Sequence, residues 1–215
     1  MQQAVNIGFT SIRVTTAVSM KAIAASYPPS TGVFSGDITD VMKANAGTLL
    51  QTVAPLMINA YPYFPYSSNP KDISFEYATF NAQEPVVDGN LRYYSLFDGM
   101  VDAFNAALEK IGAGNVPLAI SETGWPTAGN DPFTGKDKAQ ICNRNPIAHV
   151  SKQGTPRRPN QLMYTFIFSI FNENQKPSWI EQNWGFSIKI GSLFMIFIEK
   201  YSVNNKSILS SHACL

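Results

Sequence analysis

The chain has 215 residues, of which 45% are hydrophobic and 14% charged, and its 16 basic and 15 acidic side chains leave a net charge of +1. This composition predicts a folded domain with a sizeable core and argues against a disordered chain. It also argues against nucleic acid as a partner, because phosphate binding requires a basic patch.

Further function classes are disfavoured by particular residues. The cysteines, Cys142 and Cys214, form no motif, and only two histidines are present, so we expect no metal site and no other cofactor. The longest apolar run covers residues 190–198, about half of the length that a bilayer span requires, so we expect no membrane partner. No secretory signal is recognisable at the N-terminus.

Strands alternate with helices along the chain. Apolar and β-branched runs predict strands, and apolar residues at helical spacing predict helices. In chain order, the predicted elements are a strand at 12–18, a helix at 35–54 capped by Ser35, a strand at 56–61, a loop at 62–66, a helix at 94–111, a strand at 116–120 and a strand at 164–171. These repeats predict an α/β fold with a parallel sheet and crossover helices. A helix is also expected before His149, although Pro146 within it is unfavourable.

Glu122 is placed at the exit of the third predicted strand. Carboxylates at the carboxyl ends of parallel strands carry the chemistry of barrel enzymes. The ordinary interpretation of a single Glu would be a charge on a loop. Here Trp125 and Pro126 follow closely, and they could form a wall on which a sugar ring stacks.

The fourth predicted strand leads to a second group of charges, Glu173, Lys176 and Glu181. Paired carboxylates in a cleft are the minimum equipment for glycoside cleavage, one as nucleophile and the other as proton donor. A surface ion pair between Glu173 and Lys176 would explain the pattern equally well.

Aromatic side chains gather at the exit of the second predicted strand. Tyr61, Tyr63 and Phe64 offer apolar platforms for sugar rings. Packing beneath a loop is the commoner role for such residues and remains the alternative.

Six segments carry a resemblance to a known family. In chain order they are 26–30 (SYPPS), 58–64 (INAYPYF), 94–98 (YSLFD), 121–126 (SETGWP), 154–159 (GTPRRP) and 171–176 (FNENQK). With this order and spacing the chain resembles plant endo-β-1,3-glucanases of glycoside hydrolase family 17, over roughly residues 7–186. The resemblance implies a (β/α)8 TIM barrel and hydrolysis of internal bonds in β-1,3-glucan by a retaining double displacement, without a cofactor.

The resemblance also implies roles for individual residues. Glu122 corresponds to the nucleophile, and Glu173, Lys176 and Glu181 correspond to a supporting charged cluster, in which the lysine would offset repulsion among the glutamates. The residues expected to bind substrate are Asn59, Tyr61, Tyr63, Phe64 and Trp125.

The chain departs from the family pattern in one catalytic feature. The family carries its general acid in an Asn-Glu-Val segment on the fourth barrel strand, and this sequence contains no such triplet. It resembles about strands five to eight of the barrel. We therefore expect either a glucanase without its usual proton donor or an inactive remnant that is at most a weak β-glucan-binding module.

The family resemblance also gives the expected domain organisation, association and location of the chain. Residues 1–186 are predicted to form a partial barrel domain, and residues 187–215 a divergent tail of poor order. Four parallel strands leave open edges, so we expect self-association through the open barrel face, association with a partner half, or aggregation. The family implies a secreted or vacuolar location and roles in plant defence and the cell wall.

Overall fold

The computed structural model describes residues 13–151 and 153–185, and the backbone of 200–203 and 206–209. The strands are β1 Ala17–Ser19, β2 Ile23–Ala25, β3 Val33–Phe34, β4 Leu56–Asn59, β5 Val86–Asp88, β6 Leu91–Tyr93, β7 Leu118–Thr123, β8 Thr165–Ile167, β9 Lys200–Val203 and β10 Lys206–Leu209. The helices are α1 Thr39–Thr52, α2 Tyr63–Ser68, α3 Phe75–Ala78, α4 Leu96–Lys110 and α5 Lys136–Val150.

The chain divides into two compact units. The first contains the chain up to Thr123 together with Asn145–Ile167, and the second contains Gly124–Arg144 and the chain from Phe168 onward. The predicted tail falls in the second unit and lies largely outside the described residues. Its described backbone forms one antiparallel pair, β9 with β10, so its poor order stays a prediction.

The first unit is built on a four-stranded parallel sheet. Its strand order is β1-β4-β7-β8, and every neighbouring pair is parallel. Helices connect successive strands, as parallel pairing requires. The predicted α/β class is confirmed, and the four strands form an open sheet, part of a barrel that does not close within the described residues.

The core of the first unit lies between this sheet and its helices. Leu56, Ile58 and Ile120 on the two central strands are all fully buried. Helix α4 is buried along nearly its whole length, from Phe97 to Leu108. Burial of each large apolar side chain is worth about 1.5–3 kcal/mol, so the central strands are firmly placed.

Two predicted boundaries differ from those observed at the strands that matter for the site. Strand β7 continues through Thr123 instead of ending at Ile120, because the N–H of Ala60 donates to the carbonyl of Glu122 at 2.9 Å and extends the ladder. Strand β8 covers only Thr165–Ile167 of the predicted 164–171.

Two helical predictions are also corrected. Helix α1 begins at Thr39, and the carbonyl of Ser35, rather than its hydroxyl, accepts from Ile38 N and from Thr39 Oγ1. The predicted loop at 62–66 is largely helix α2, which begins after Pro62; proline is tolerated in a first turn because the N–H there has no helical partner.

Helix α5 includes Pro146, so the helix expected before His149 exists despite the proline. None of the helices in the described ranges combines the length and apolar character needed to span a bilayer.

A stripe of polar residues along α4 forms hydrogen bonds and ion pairs with the segment 149–158. The stripe consists of Asp98, Asp102, Asn105 and Glu109, which recur at helical spacing on one side of the helix. Asp98 Oδ1 lies 2.8 Å from His149 Nε2, and Asp102 accepts from Thr155 Oγ1 at 2.5 Å and from the backbone N–H of Arg157 at 2.9 Å.

The pKa values of two carboxyls on this stripe are shifted in opposite directions, one by hydrogen bonds from an arginine and the other by burial. Hydrogen bonds from Arg157 lower the pKa of the half-exposed Glu109 carboxyl, which also pairs with Arg158. Burial raises the pKa of Asp102, although its hydrogen bonds from Thr155 and Asn105 oppose the rise. Hydrogen bonds from these donors thus stabilise the buried Asp102 carboxylate. Removing the carboxylate or its donors would leave polar groups unsatisfied.

Val53 ends α1 under backbone strain, and we predict that Val53→Gly stabilises the protein. Val53 has φ 52° and ψ 37°, a left-handed conformation that is costly for a β-branched residue, and its side chain is 64% exposed. Glycine removes the strain but gains freedom in the unfolded chain, so we expect a net increase of about 0.5–1 kcal/mol in the free energy of unfolding. Urea denaturation measures it, and Val53→Ala, which keeps a Cβ, should gain less.

Candidate active site

Glu122 lies near the carboxyl end of the central strand β7, beside the end of β4. Ile58 pairs with Ile120, whereas Asn59 pairs with Glu122, so Ser121 is an extra residue on β7 at this point. Bulges of this kind redirect side chains and recur beside active sites. Glu122 was predicted to follow the strand directly. It is instead the penultimate residue of this parallel strand, at the expected end.

Two hydrogen bonds between side chains hold this end of the sheet. The Tyr61 hydroxyl donates to Glu122 Oε2 at 2.8 Å, and the Ser121 hydroxyl donates to Asn59 Oδ1 at 2.5 Å. Among the described residues, Glu122 Oε1 has no hydrogen-bond partner. The half-buried carboxylate is therefore oriented through one oxygen while the other remains available.

The aromatic residues after β4 divide into exposed and buried rings. Phe64 is 43% exposed and packs edge-on against Tyr61, with ring centroids 5.6 Å apart. Tyr63 is only 1% exposed and packs on Phe64 from within, with centroids 5.3 Å apart. Tyr63 therefore offers no ring face to a sugar in this structure, which corrects the expectation that it binds substrate.

An open cavity of about 1160 Å³ lies in the first unit at this end of the sheet. Asn59, Tyr61 and Phe64 line it together with the exposed ring of Tyr27 and with Tyr77. Its wall is mostly apolar and aromatic with a few polar groups, which is the usual character of a ligand site.

The remaining predicted residues belong to the second unit. Lys176 Nζ lies 2.6 Å from Glu173 Oε2 and 4.6 Å from the centre of the Phe168 ring. Glu181 is exposed in the short 3-10 turn Ile180–Gln182 and has no ion-pair partner among the described residues. The structure therefore brings Glu173 and Lys176 together but does not add Glu181 to them.

Trp125 is also in the second unit, and its predicted role is corrected. Its side chain is 1% exposed, and the indole Nε1 donates to the carbonyl of Phe133 at 2.9 Å. A buried indole with its N–H bonded inside the protein has no face on which a sugar can stack. Trp125 is therefore a core residue of the loop that follows β7.

Sequence reasoning missed Ser121 as a contributor to the site. Its hydroxyl fixes the amide of Asn59, a residue that lines the cavity, and it does so because the bulge admits it at the strand end. The only signal in the sequence was its position directly before Glu122.

Replacing Tyr61 by Phe tests the contact with Glu122. The change removes the hydroxyl that donates to Oε2 but keeps the ring that packs on Phe64. We expect the free energy of unfolding to fall by about 1.5–3 kcal/mol, because a charge-assisted hydrogen bond is lost, and urea denaturation measures the change. An unchanged free energy of unfolding would mean that the Tyr61 hydroxyl contributes nothing to holding Glu122.

No group of three or more His, Cys, Asp or Glu side chains within the described ranges is arranged to hold a metal ion. The expectation that the chain uses no cofactor stays a prediction.

Comparison with known proteins gives the family. The model of Glycosyl hydrolases family 17 matches residues 3–189. The chain is 47% identical over 176 residues to the probable glucan endo-1,3-beta-glucosidase BG4 of Arabidopsis thaliana, covering 81% of this chain and 51% of that protein. It is 45% identical over 179 residues to Lichenase-2 of Hordeum vulgare, covering 83% of this chain and 56% of that protein.

Solved structures agree. The β-1,3-glucanase and pollen allergen CJP38 of Cryptomeria japonica superimposes with a TM-score of 0.83 at 42% identity, covering 86% of this chain and 58% of that one. The chain spans about half of the length of the curated relatives it matches. Match and superposition together extend over most of these 215 residues, and the chain belongs to family 17 of the glycosyl hydrolases.

Proposed function

We propose that this chain provides the nucleophile of a retaining endo-β-1,3-glucanase, and that Glu122 is that nucleophile. The observation that carries the proposal is the Glu122 carboxylate at the end of β7, oriented by Tyr61 through Oε2. Two relatives named above are a glucan endo-1,3-beta-glucosidase and a β-1,3-glucanase, which supports β-1,3-glucan as the substrate.

In the proposed reaction a Glu122 oxygen attacks the anomeric carbon of the glucan. The bond from that carbon to the leaving oxygen breaks, and the leaving oxygen takes the electron pair and a proton from a general acid. Water then attacks the same carbon, releases Glu122 and gives a product with the original β configuration. Tyr61 holds the carboxylate through Oε2, so that Oε1 is the attacking oxygen.

The proposed reaction also needs a general acid that protonates the leaving oxygen. Family resemblance assigns it to an Asn-Glu-Val segment, and this sequence has no such triplet. General acid catalysis contributes about a hundred- to ten-thousandfold to rate, so natural glucan is expected to be cleaved slowly by this chain. A substrate with a leaving group that needs no proton removes this requirement.

The test is therefore made with two substrates. With 2,4-dinitrophenyl β-laminaribioside, we expect release of dinitrophenolate and a covalent laminaribiosyl-protein detectable by intact mass spectrometry. With laminarin, we expect little or no release of reducing ends. Peptide mapping should place the sugar on Glu122.

Glu122→Gln is the matched control, because it keeps size and hydrogen-bonding capacity but not the nucleophile. Equal dinitrophenolate release by this variant, or a sugar attached elsewhere, would refute the assignment of Glu122. Rapid cleavage of laminarin by the unmodified chain would show that the chain supplies its own proton donor.

The exposed rings favour a second candidate function, weak β-glucan binding without catalysis. Tyr27 and Phe64, 76% and 43% exposed, line one cavity and could hold a glucan without any acid or nucleophile. This function predicts laminarin binding that is equal for the unmodified chain and Glu122→Gln, with no glycosyl-protein from either.

A further inference from the structure

A second cavity lies in the first unit and shares no lining residue with the one bounded by Tyr61 and Phe64. Its volume is about 460 Å³. The side chains that give it its chemistry are Phe80, Arg92, Tyr94, Asp98, His149 and Gln153. None of them has a part in the proposed reaction.

A buried carboxylate with one unpaired oxygen lines this cavity. Asp98 is 4% exposed, and its Oδ1 is bonded to His149 Nε2 at 2.8 Å. Among the described residues, Oδ2 has no hydrogen-bond partner. Asp98 lines the cavity, so a ligand that donates a hydrogen bond there could pair with this oxygen.

His149 is committed to the protein on both ring nitrogens. Nε2 lies 2.8 Å from Asp98 Oδ1, and Nδ1 lies 3.0 Å from Gln153 Nε2. Besides this imidazole, the charged groups that line the cavity are one carboxylate, Asp98, and one guanidinium, Arg92. An anion would meet the carboxylate and a cation would meet the guanidinium, so the balance favours a neutral ligand.

Arg92 and Tyr94 form an accessible wall. Arg92 in β6 and Tyr94 directly after it flank Tyr93, which is fully buried, and both are exposed. Arg92 is exposed and has no hydrogen-bond or ion-pair partner within the described residues. Tyr94 is 47% exposed. The wall thus combines unused donors with an aromatic surface.

Phe80 also lines the cavity, and its backbone is strained. Its φ of 64° is in the left-handed region, which is unfavourable for a phenylalanine. Its ring packs between His149 and Phe97, with centroids 5.1 and 5.5 Å away. Strain of this kind is concentrated at binding and catalytic sites.

We propose that this cavity is a non-catalytic site for one sugar unit of a neutral glucan. A glucosyl residue has hydroxyls that can donate to Asp98 Oδ2 and accept from Arg92, and an apolar ring face that can lie on Tyr94. The ligand class follows from the cavity's own groups and does not depend on Glu122 as nucleophile.

The test is an NMR titration of the ¹⁵N-labelled full chain with laminaritriose. We expect saturable shifts of the Arg92, Tyr94 and Gln153 amides with a dissociation constant on the order of 1 mM, a weak affinity suited to a single sugar. Tyr94→Ala and Arg92→Ala should each weaken this binding about tenfold or more. Phe64→Ala is the control in the other cavity, and it should leave these shifts unchanged.

Three results would overturn the proposal. One is the absence of saturable shifts at these amides in the unmodified chain. Another is saturation by inorganic phosphate but not by laminaritriose, which would indicate an anion site. The third is loss of the shifts in Phe64→Ala but not in Tyr94→Ala. A well-dispersed amide spectrum in every variant shows that the fold is retained.

Discussion

Glu122→Ala is expected to lower the turnover of 2,4-dinitrophenyl β-laminaribioside by on the order of 10³-fold or more. In the proposed reaction this change removes the attacking oxygen, and loss of a nucleophile is among the largest effects of a single substitution on an enzyme. Because the leaving phenolate needs no proton, the loss reports on the nucleophile alone. Dinitrophenolate absorbance measures the rate.

Sodium azide is expected to restore part of this activity in Glu122→Ala. Azide can occupy the space left by the carboxylate and attack the anomeric carbon once, from the same side, giving the α-glycosyl azide. Glu84→Ala, which alters an exposed carboxylate in the same unit, should keep the original rate and give no azide product. Formation of β-glycosyl azide, or no rescue, would count against Glu122 as nucleophile.

The parallel sheet could be predicted because its central strands consist of apolar runs in the sequence. Runs at 56–61 and 116–120 form β4 and β7, whose residues Leu56, Ile58 and Ile120 are fully buried. The ends of the strands could not be predicted in the same way. Glu122 is within β7 because of a hydrogen bond to Ala60, and local patterns carry no information about such distant pairing.

The aromatic residues show a second limit of sequence patterns. Tyr61, Tyr63 and Phe64 are neighbours of similar type, yet only Tyr63 is buried. Helix α2 decides this difference, since it turns successive side chains toward different sides, whereas the predicted loop did not separate them. The contact between Tyr61 and Glu122 depends on the parallel neighbours β4 and β7, which only the sheet order reveals.

The polar stripe on α4 was missed, although the sequence contains its signal. The apolar residues of that helix predict one buried face, and polar residues elsewhere would ordinarily face solvent. Asp98, Asp102, Asn105 and Glu109 recur at intervals of four, three and four, the spacing of a second face. A polar stripe on a helix that is buried all round indicates a bonded segment packed against it, here 149–158.

Asp102→Ala is expected to lower the free energy of unfolding by about 3–5 kcal/mol, because it leaves buried partners of a buried carboxylate unsatisfied. Asp102 is fully buried and accepts from Thr155 Oγ1, Asn105 Nδ2 and Arg157 N, at 2.5, 2.9 and 2.9 Å. The substitution leaves all three donors without this acceptor, and two of them belong to the buried residues Thr155 and Asn105. Urea denaturation measures the change.

Asp40→Ala is the matched control for that loss. Asp40 pairs with Lys43 at 3.5 Å on α1, but its side chain is 97% exposed, so its removal should change the free energy of unfolding by less than about 0.5 kcal/mol. Equal effects of the two substitutions would mean that Asp102 contributes no more than a surface ion pair. A large loss of unfolding free energy confined to Asp102→Ala would instead show that the stripe holds segment 149–158 against α4. Gly154 and Thr155 of this segment line the second cavity, so the cavity would then depend on the same hydrogen bonds.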